Sequence, residues 1–337
     1  MTRALVTGST GFVGAAICRL LVERSYTVRA FHRATSTTRL LDDLPVEHAI
    51  GDLTQPATLT DALQDVDVVF HAAAMLGGRE NPGRMYTVTV EGTRAVLQAC
   101  MDAGVRRMVH TSSVAALGVP EPTGADAQPA LMNETHTWNY PPDRWVYGYS
   151  KYLAEMEVQK AVAAGFDCVI VNPTLVMGPG DVYRQDSSPI VQIARGRGGV
   201  TTDGGVNIVH INEVAEGHLA ALERGRYGER YILGGQNLTV PEMMRLIASI
   251  AGVQPPALLI PAGLVRAAAG PLGWLQSFVS FPVSPEILHL AGYHMYVDTR
   301  KAQVELGLSP AGSAQGAIQD AYDWFVEVGA IRPVTKK

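Results

Sequence analysis

Short apolar runs alternate along the first half of the chain with longer segments in which apolar residues recur at spacings of three and four. The short runs read as buried strands and the longer segments as helices with one apolar stripe, because side chains alternate across a strand and repeat about every 3.6 residues around a helix. Strands are predicted at 4–7, 27–31, 47–50, 67–71, 107–111 and 168–172, and helices at 12–23, 56–63, 84–102 and 147–163. Strands and helices in such succession are the mark of βαβ units laid into a parallel sheet. The expected fold class is therefore α/β, a Rossmann-type doubly wound parallel sheet.

The pattern changes twice. From 117 to 145 the chain is rich in Pro, Gly, Asp, Asn and Thr and predicts a long loop, placed over the mouth of a site by its position between a strand and the helix at 147–163. After Pro173 the alternation decays, and 178–205 holds many glycines. A strand at 206–211, a helix at 213–224 and a strand at 230–233 then return toward the sheet. This divides the chain into a dinucleotide-binding domain, 1–175 plus about 206–237, and a smaller, mostly C-terminal substrate lobe, about 176–205 plus 238–337. The apolar stretch 258–275 is interrupted by Pro261, Arg266 and Pro271, which favours a buried or substrate-lining helix over a membrane span.

Composition narrows the function classes. The 337 residues suffice for a large core, and 47% hydrophobic with 18% charged residues exclude a disordered chain. A net charge of −5, without a dense Lys/Arg run, argues against a nucleic-acid partner. The N-terminal apolar stretch is broken by Gly8, too soon for a signal-peptide core, so a cytoplasmic protein is expected. Cys18, Cys100 and Cys168 are far apart in apolar patterns and read as buried reduced thiols; neither a disulfide nor a metal site is expected.

The segment Thr7-Gly8-Ser9-Thr10-Gly11-Phe12-Val13-Gly14 closes the first strand and opens the first helix. In that context Gly8 can make the tight turn, Gly11 can let the backbone approach a pyrophosphate, and Gly14 can let helix and strand pack closely. The helix N-terminus adds unpaired amides and a partial positive charge. This turn resembles that of the extended short-chain dehydrogenases, the NAD-dependent epimerase/dehydratase family. The likeness runs on through Gly51-Asp52-Leu53, similar to the family's adenine-contacting turn, and His71-Ala72-Ala73-Ala74, similar to its segment beside the cofactor. Asn172-Pro173-Thr174-Leu175-Val176-Met177-Gly178-Pro179 resembles its nicotinamide-end turn. The resemblance implies cofactor contacts from Gly8, Thr10, Gly11, Phe12, Val13, Gly14, His32, Arg33, Asp52, Leu53, Ala72, Ala73, Ala74, Tyr147, Lys151, Pro173 and Val176.

At the end of the second strand NAD-binding enzymes carry an acid that accepts from the ribose hydroxyls. Here stand His32 and Arg33, with Thr35, Ser36 and Arg39 nearby. An acid would repel a 2′-phosphate, and a unit-charge pair at about 4 Å is worth about 4 kcal/mol at an effective dielectric near 20. NADP(H) is therefore the expected cofactor and NAD(H) the alternative.

Tyr147 and Lys151 are four residues apart, so a helix puts both on one face; Tyr149 has Leu153 at that spacing. A phenol that exchanges a proton with a carbonyl or hydroxyl oxygen needs help near neutral pH, and a nearby ammonium is expected to lower its pKa. Upstream, the strand at 107–111 ends in hydroxyls, one of which should orient the substrate oxygen. By the family pattern, with a hydroxyl five residues before Gly118, that residue is Ser113, and Ser112 is the alternative. Thr89 stands where many relatives carry an asparagine of the proton relay. His71, His110 and His210 lie on apolar strands and are read as core histidines without a catalytic role.

Two branches of the family compete for the substrate. Segments 107–118 and 172–180 resemble dihydroflavonol-reductase and 3β-hydroxysteroid-dehydrogenase relatives, whereas 206–235 resembles the hopanoid-associated sugar-epimerase-like group. Nucleotide-sugar epimerases usually carry an arginine where this chain has Val206, and that guanidinium clamps the substrate diphosphate. Reduction of a small, fairly apolar aldehyde or ketone, or the reverse oxidation, is therefore favoured. Met177, Val182, Tyr183 and the 258–275 stretch are the expected pocket lining. A nucleotide-sugar epimerase or dehydratase and a non-catalytic NADP(H) sensor are the alternatives. The helices at 84–102 and 147–163 resemble those through which relatives pair, so a homodimer is expected. Arg33→Asp is expected to move the ratio of kcat/KM for NADPH over NADH tenfold or more toward NADH; a native protein that already prefers NADH overturns the cofactor assignment.

Overall fold

The computed structural model describes residues 1–75, 81–121, 128–275, 285–309 and 312–332. Its strands are β1 (Arg3–Thr7), β2 (Thr27–His32), β3 (Glu47–Ile50), β4 (Val68–His71), β5 (Arg107–Thr111), β6 (Cys168–Pro173), β7 (Leu175–Met177), β8 (Val200–Thr202), β9 (Gly205–His210), β10 (Arg230–Leu233), β11 (Gln236–Thr239) and β12 (Leu258–Ile260). The α-helices are α1 (Phe12–Glu23), α2 (Ala57–Ala62), α3 (Pro82–Tyr86), α4 (Gly92–Asp102), α5 (Val146–Ala163), α6 (Pro189–Ala194), α7 (Ile211–Arg224), α8 (Val240–Ala251), α9 (Ala262–Leu275), α10 (Pro285–His289), α11 (Arg300–Leu306) and α12 (Ala314–Glu327).

Seven strands form one sheet in the order β10-β6-β5-β4-β1-β2-β3, and every neighbouring pair is parallel. Successive side chains go to opposite faces, which fixes the two cores. Val6, Val28 and Ala30 pack with Ile17, Leu21, Val214 and Leu219 of α1 and α7, while Leu5, Val69, Met108 and Ile170 pack with Val96, Leu97 and Val158 of α4 and α5. Each such side chain stabilises the fold by about 1.5–3 kcal/mol on burial. The chain winds from β1 out to β3 and then crosses back to β4, so the strand order reverses between β1 and β4. A crevice opens there beyond the carboxyl ends of the strands.

Three expectations need correction. The helix at 84–102 is not one regular helix: α3 and α4 are joined by a π-helical turn, Thr87–Glu91. Thr89 lies in that turn, its carbonyl accepting from the Thr93 hydroxyl at 2.6 Å, and Thr93 in turn contacts His71 of β4 at 3.0 Å. The strand predicted at 206–211 is β9, which pairs not in the large sheet but with β7 and β11 in a three-stranded sheet. The stretch 258–275 is not a buried helix: it divides into β12 and α9, and Leu258, Leu259 and Leu264 are 59%, 49% and 64% exposed. Among the described residues no helix is long and apolar enough to cross a membrane.

The loop predicted at 117–145, of which 122–127 lie outside the described residues, is irregular after a 3-10 turn (Val114–Leu117) but closely tied. Asn139 bonds both backbone groups of Val119 at 2.9 Å, and Met132 exchanges backbone hydrogen bonds with Tyr296 and Asp298 at 2.9 Å.

One buried side chain ties the three-stranded sheet to the segments that leave the large sheet after β6 and β10. Asn207 of β9 accepts from Gly235 N at 2.7 Å, donates to Gly235 O at 2.9 Å and accepts from the Thr174 hydroxyl at 2.8 Å. A Cβ on Gly235 would lie 2.0 Å from the Ile208 carbonyl oxygen, so the approach is close as well as bonded. Asn207→Ala leaves four buried or part-buried polar groups, Thr174 Oγ1, Gly235 N and O, and Asn237 Oδ1, without this partner and is expected to cost about 2 kcal/mol, read as a lower urea midpoint; an unchanged midpoint would refute the staple.

Candidate active site

The glycine turn follows from steric limits. Gly8 has φ +67°, and a Cβ there would lie 2.7 Å from Ala73 Cα. Gly11 donates its N–H to Gly8 O at 2.9 Å, and a Cβ on Gly14 would lie 2.2 Å from that same carbonyl oxygen. The backbone thus folds tightly against itself and against 72–74. Ser9, fully buried, donates to Phe31 O at 3.1 Å and ties the turn to β2. Gly11, at the N-cap, has no side chain to cap α1, and among the described residues none is bonded to its first amides, which can receive an anion. Thr10 is buried and Phe12 and Val13 are half-buried around it. A dinucleotide pyrophosphate fits this cradle, with Ala72, Ala73 and Ala74, all half-buried, beside it.

At the end of β2, His32 and His48 bond through Nε2 and Nδ1 at 2.9 Å, and His32 Nδ1 lies 3.0 Å from Arg33 O. A carbonyl only accepts, so the His32 Nδ1–H donates to Arg33 O. Arg33 is exposed, and its guanidinium makes no hydrogen bond or ion pair among the described residues. Asp52 accepts from Thr54 N at 2.9 Å and from the Thr54 hydroxyl at 2.8 Å. These bonds, with the charges of Arg33 and Arg84, hold its carboxyl below the usual carboxylate range. Leu53 is buried next to Gly92, whose added Cβ would lie 3.1 Å from it.

The structure brings Ser113, Tyr147 and Lys151 together. Tyr147 and Lys151 share one face of α5; Lys151 is 2% exposed and its Nζ donates to Thr111 O, at the end of β5, at 2.8 Å. Burial lowers the ammonium pKa to about 8, and the negative charge of Glu155 one turn on opposes the fall. Ser113 caps the 3-10 turn by accepting from Ala115 N at 3.1 Å, and its hydroxyl lies near enough to the Tyr147 phenol to favour the ionised form. Ser112, the alternative, is buried and its hydroxyl has no partner among the described residues.

The expected sign at Tyr147 is reversed. Burial raises the phenol pKa, and what opposes the rise is the Ser113 hydroxyl and the charge of Arg184. Desolvation outweighs what opposes it, and the Lys151 ammonium donates to the Thr111 carbonyl. Arg184, which sequence reasoning did not single out, is held through Nε by the buried Asp181 at 2.8 Å. Two further residues went unnoticed as partners: Glu155, whose spacing from Lys151 looks like a solvent-exposed helix pair, and Asn172 of β6, quoted only as part of a motif.

The histidines differ among themselves. His71 bonds Thr7 and Thr93 at 2.7 and 3.0 Å, and burial lowers its pKa to about 3. His110 is buried with neither ring nitrogen bonded among the described residues, so it is not the satisfied core histidine expected. His210 caps α7 and lies 3.1 Å from Asp320.

Tyr147 belongs to a largely aromatic cluster. Trp138, Tyr140, Trp145, Leu290, Tyr293 and Met295 pack with Tyr147, and a Cβ on Gly148 would lie 2.8 Å from both indoles. Of the expected lining, Met177 is buried, whereas Tyr183 is 55% exposed. The signal for the aromatic wall was in the 117–145 loop, where Trp138, Tyr140 and Trp145 interrupt otherwise polar sequence.

A glycine cradle at the β1/β4 reversal, with a tyrosine and a lysine on the facing helix, defines a dinucleotide-binding α/β oxidoreductase. The profile of the NAD dependent epimerase/dehydratase family matches residues 4–234, and the chain belongs to that family as an oxidoreductase of the extended short-chain dehydrogenase type. It is 35% identical to a Synechocystis protein named dihydroflavonol 4-reductase, over 97% of this chain and 95% of that one. It is 34% identical to sterol demethylase protein B of Methylococcus capsulatus, over 97% and 99% of the two chains. The crystal structure of PA4631, a nucleoside-diphosphate-sugar epimerase from Pseudomonas aeruginosa, superposes with a TM-score of 0.81 at 26% identity, over 98% of this chain and 99% of that one.

Gly11 offers a clean test of the cradle, because a Cβ there meets only Gly8 O at 3.2 Å and its φ is −84°. Gly11→Val should keep the fold and weaken NADPH binding tenfold or more by fluorescence titration; unchanged binding would remove the cofactor from this turn.

Proposed function

We propose that the protein is an NADP(H)-dependent carbonyl reductase or alcohol dehydrogenase acting on a small, largely apolar aldehyde, ketone or alcohol. The observation that carries this reading is that Tyr147 and Lys151 stand one turn apart on α5, with the Lys151 ammonium held at the end of β5 by Thr111 O, two residues before Ser113. When bound, the nicotinamide supplies or accepts the hydride. Ser113 orients the substrate oxygen, and Tyr147 gives that oxygen a proton in reduction or takes one in oxidation. A phenol held in its protonated form by burial suits the proton-giving direction. Lys151 and Tyr147 hold the cofactor at the nicotinamide end with Pro173 and Val176, and Asp52 and Leu53 at the adenine end. Arg33, exposed and unpaired among the described residues, supports selection of the 2′-phosphate.

The aromatic wall around Tyr147 supports an apolar substrate, as do the flavonol and sterol in the names of the two relatives. In this reading 1–175 plus about 206–237 bind the cofactor and about 176–205 plus 238–337 bind the substrate. The protein works in the cytoplasm as a homodimer paired through α4 and α5, which sedimentation would test. The likeness to the Pseudomonas epimerase favours sugar-nucleotide interconversion as a second reading. Against it stands Val206, half-buried in β9 and paired with Leu238, where a diphosphate-clamping arginine would be needed.

A screen of NADPH oxidation on aromatic and aliphatic carbonyls, run beside UDP-sugar interconversion, decides between them: turnover of the sugars alone reverses the ranking. Tyr147→Phe should lower kcat by about 10²–10⁴-fold while NADPH binding stays within about threefold. A variant that keeps its rate would end the proposed chemistry, and binding of NADPH without turnover over the whole panel would favour a sensor.

A further inference from the structure

We infer that Glu155 is a positioning residue of this site: it fixes the Ser113 strand end against the helix that carries Tyr147, and it supplies the negative charge beneath Lys151. The inference rests on the function proposed above.

Glu155 follows Lys151 by one turn of α5, and its side chain is 1% exposed. A carboxylate so deep needs a partner on each oxygen. Oε1 accepts from Asn172 Nδ2 at 2.6 Å, and Oε2 lies 3.2 Å from Nη1 of Arg230. Arg230 comes from the edge strand β10 and also donates to His136 O at 3.3 Å, so it is itself held in place.

The Asn172 amide has two N–H groups, and the second reaches Ser113 O at 3.0 Å. One side chain at the end of β6 therefore links the carboxylate on α5 to the backbone of Ser113, whose hydroxyl lies near the Tyr147 phenol. A closed loop of contacts results, running through Glu155, Asn172, Ser113 and Tyr147 and back along α5. Within that loop the distance between the serine and tyrosine hydroxyls is set by a carboxylate that touches neither.

The charge has a separate consequence. Several ionisable groups surround Lys151: Tyr147 and Glu155 on α5, His71 on β4 and His110 on β5, with Arg230 behind Glu155 on β10. Burial and the Lys151 charge keep both histidines neutral. Glu155 is the anion of the group, and it opposes the fall of the Lys151 pKa to about 8. An ammonium with a lowered pKa is charged below that value and neutral above it. Removing the anion lowers the pKa again, so activity that needs the ammonium must be lost at lower pH. Removing Arg230 leaves the anion to Lys151 alone and must act in the opposite direction.

The pair of variants Glu155→Gln and Arg230→Gln tests this. Gln keeps an acceptor for Asn172 and the size of the side chain. In Glu155→Gln, NADPH affinity and KM for a carbonyl substrate should stay within about threefold, while kcat falls about fivefold at pH 8 and the alkaline limb of its profile moves down by about one pH unit. In Arg230→Gln that limb should move up. Limbs that stay in place, even with lower rates, would mean that Glu155 only stabilises the fold and would overturn the inference.

The Lys151 ammonium can also be titrated without turnover. The chain has five lysines, Lys151, Lys160, Lys301, Lys336 and Lys337, so nitrogen-labelled lysine resonances are few and Lys151→Arg assigns the one in question. A Lys151 midpoint that falls in Glu155→Gln upholds the charge effect, and one that does not move overturns it. If Tyr147→Phe keeps full activity, the proposed function fails, but this titration still reads Glu155.

Discussion

A lysine ammonium sealed between a helix and a strand end constrains everything near it. Moving such a charge out of water costs several kcal/mol even after the protein relaxes, and the cost is tolerable only if acceptors and an opposite charge are built around it. Here the acceptor is the Thr111 carbonyl, which β5 leaves free at its carboxyl end, and the opposite charge is Glu155. Both require α5 to lie close over the ends of β5 and β6. That closeness is secured by apolar packing further down the helix, where Val158 and Ala161 meet Met108, Cys168 and Ile170. The apolar half of α5 thus anchors the helix so that its polar half can be buried. The stripe Tyr147, Lys151 and Glu155 breaks the usual rule that the charged face of a helix meets solvent.

The site is assembled from strand ends for the same reason. In a parallel sheet the carboxyl ends carry carbonyls without ladder partners, and the reversal of strand order between β1 and β4 keeps the connecting helices from closing over them. Thr7 leads into the glycine turn, His71 into the alanines that press against Gly8, Thr111 into the serines, and Asn172 into Pro173. Each strand thus delivers one kind of group to the crevice: a turn that exposes amides, a close backbone wall, hydroxyls, or an amide side chain. The small sheet is brought to that crevice by Asn207, which bonds Thr174 on one side and Gly235 on the other.

Much of this was legible in the sequence, and the failures share a cause. Strands buried on both faces announce themselves as continuous apolar runs, and Gly8, Gly11 and Gly14 name their own steric roles. Tyr147 and Lys151 declare a common helix face by spacing alone. What was not legible depends on tertiary partners. The π-helical turn at Thr87–Glu91 goes with the reach of Thr93 to His71, a contact across 22 residues. The strand at 206–211 has the correct pattern, but alternation cannot say which sheet it joins. Leu258, Leu259 and Leu264 are apolar yet exposed, and hydrophobicity by itself names no partner. The sign of the Tyr147 shift is set by burial, which spacing does not fix. Glu155 was missed because Lys151 and Glu155 match the pattern of a solvent-exposed pair, and only burial separates the two cases.

Two cations of the proposed site work under opposite physical regimes. Arg33 is exposed, so its attraction for a phosphate acts through water and is screened within about 10 Å at ordinary salt. Such a group can bias which cofactor is chosen without constraining the fold. Lys151 is almost fully buried, where screening is weak and every neighbouring charge is felt strongly. Its surroundings cannot be altered one residue at a time without moving both a pKa and a packing contact. The adenine end of the crevice is therefore the part of the molecule free to change its specificity, while the end under α5 is bound to the geometry of the sheet. The aromatic cluster of Trp138, Tyr140 and Trp145 falls between these limits: it comes from a loop, but Gly148 seats both indoles directly against α5.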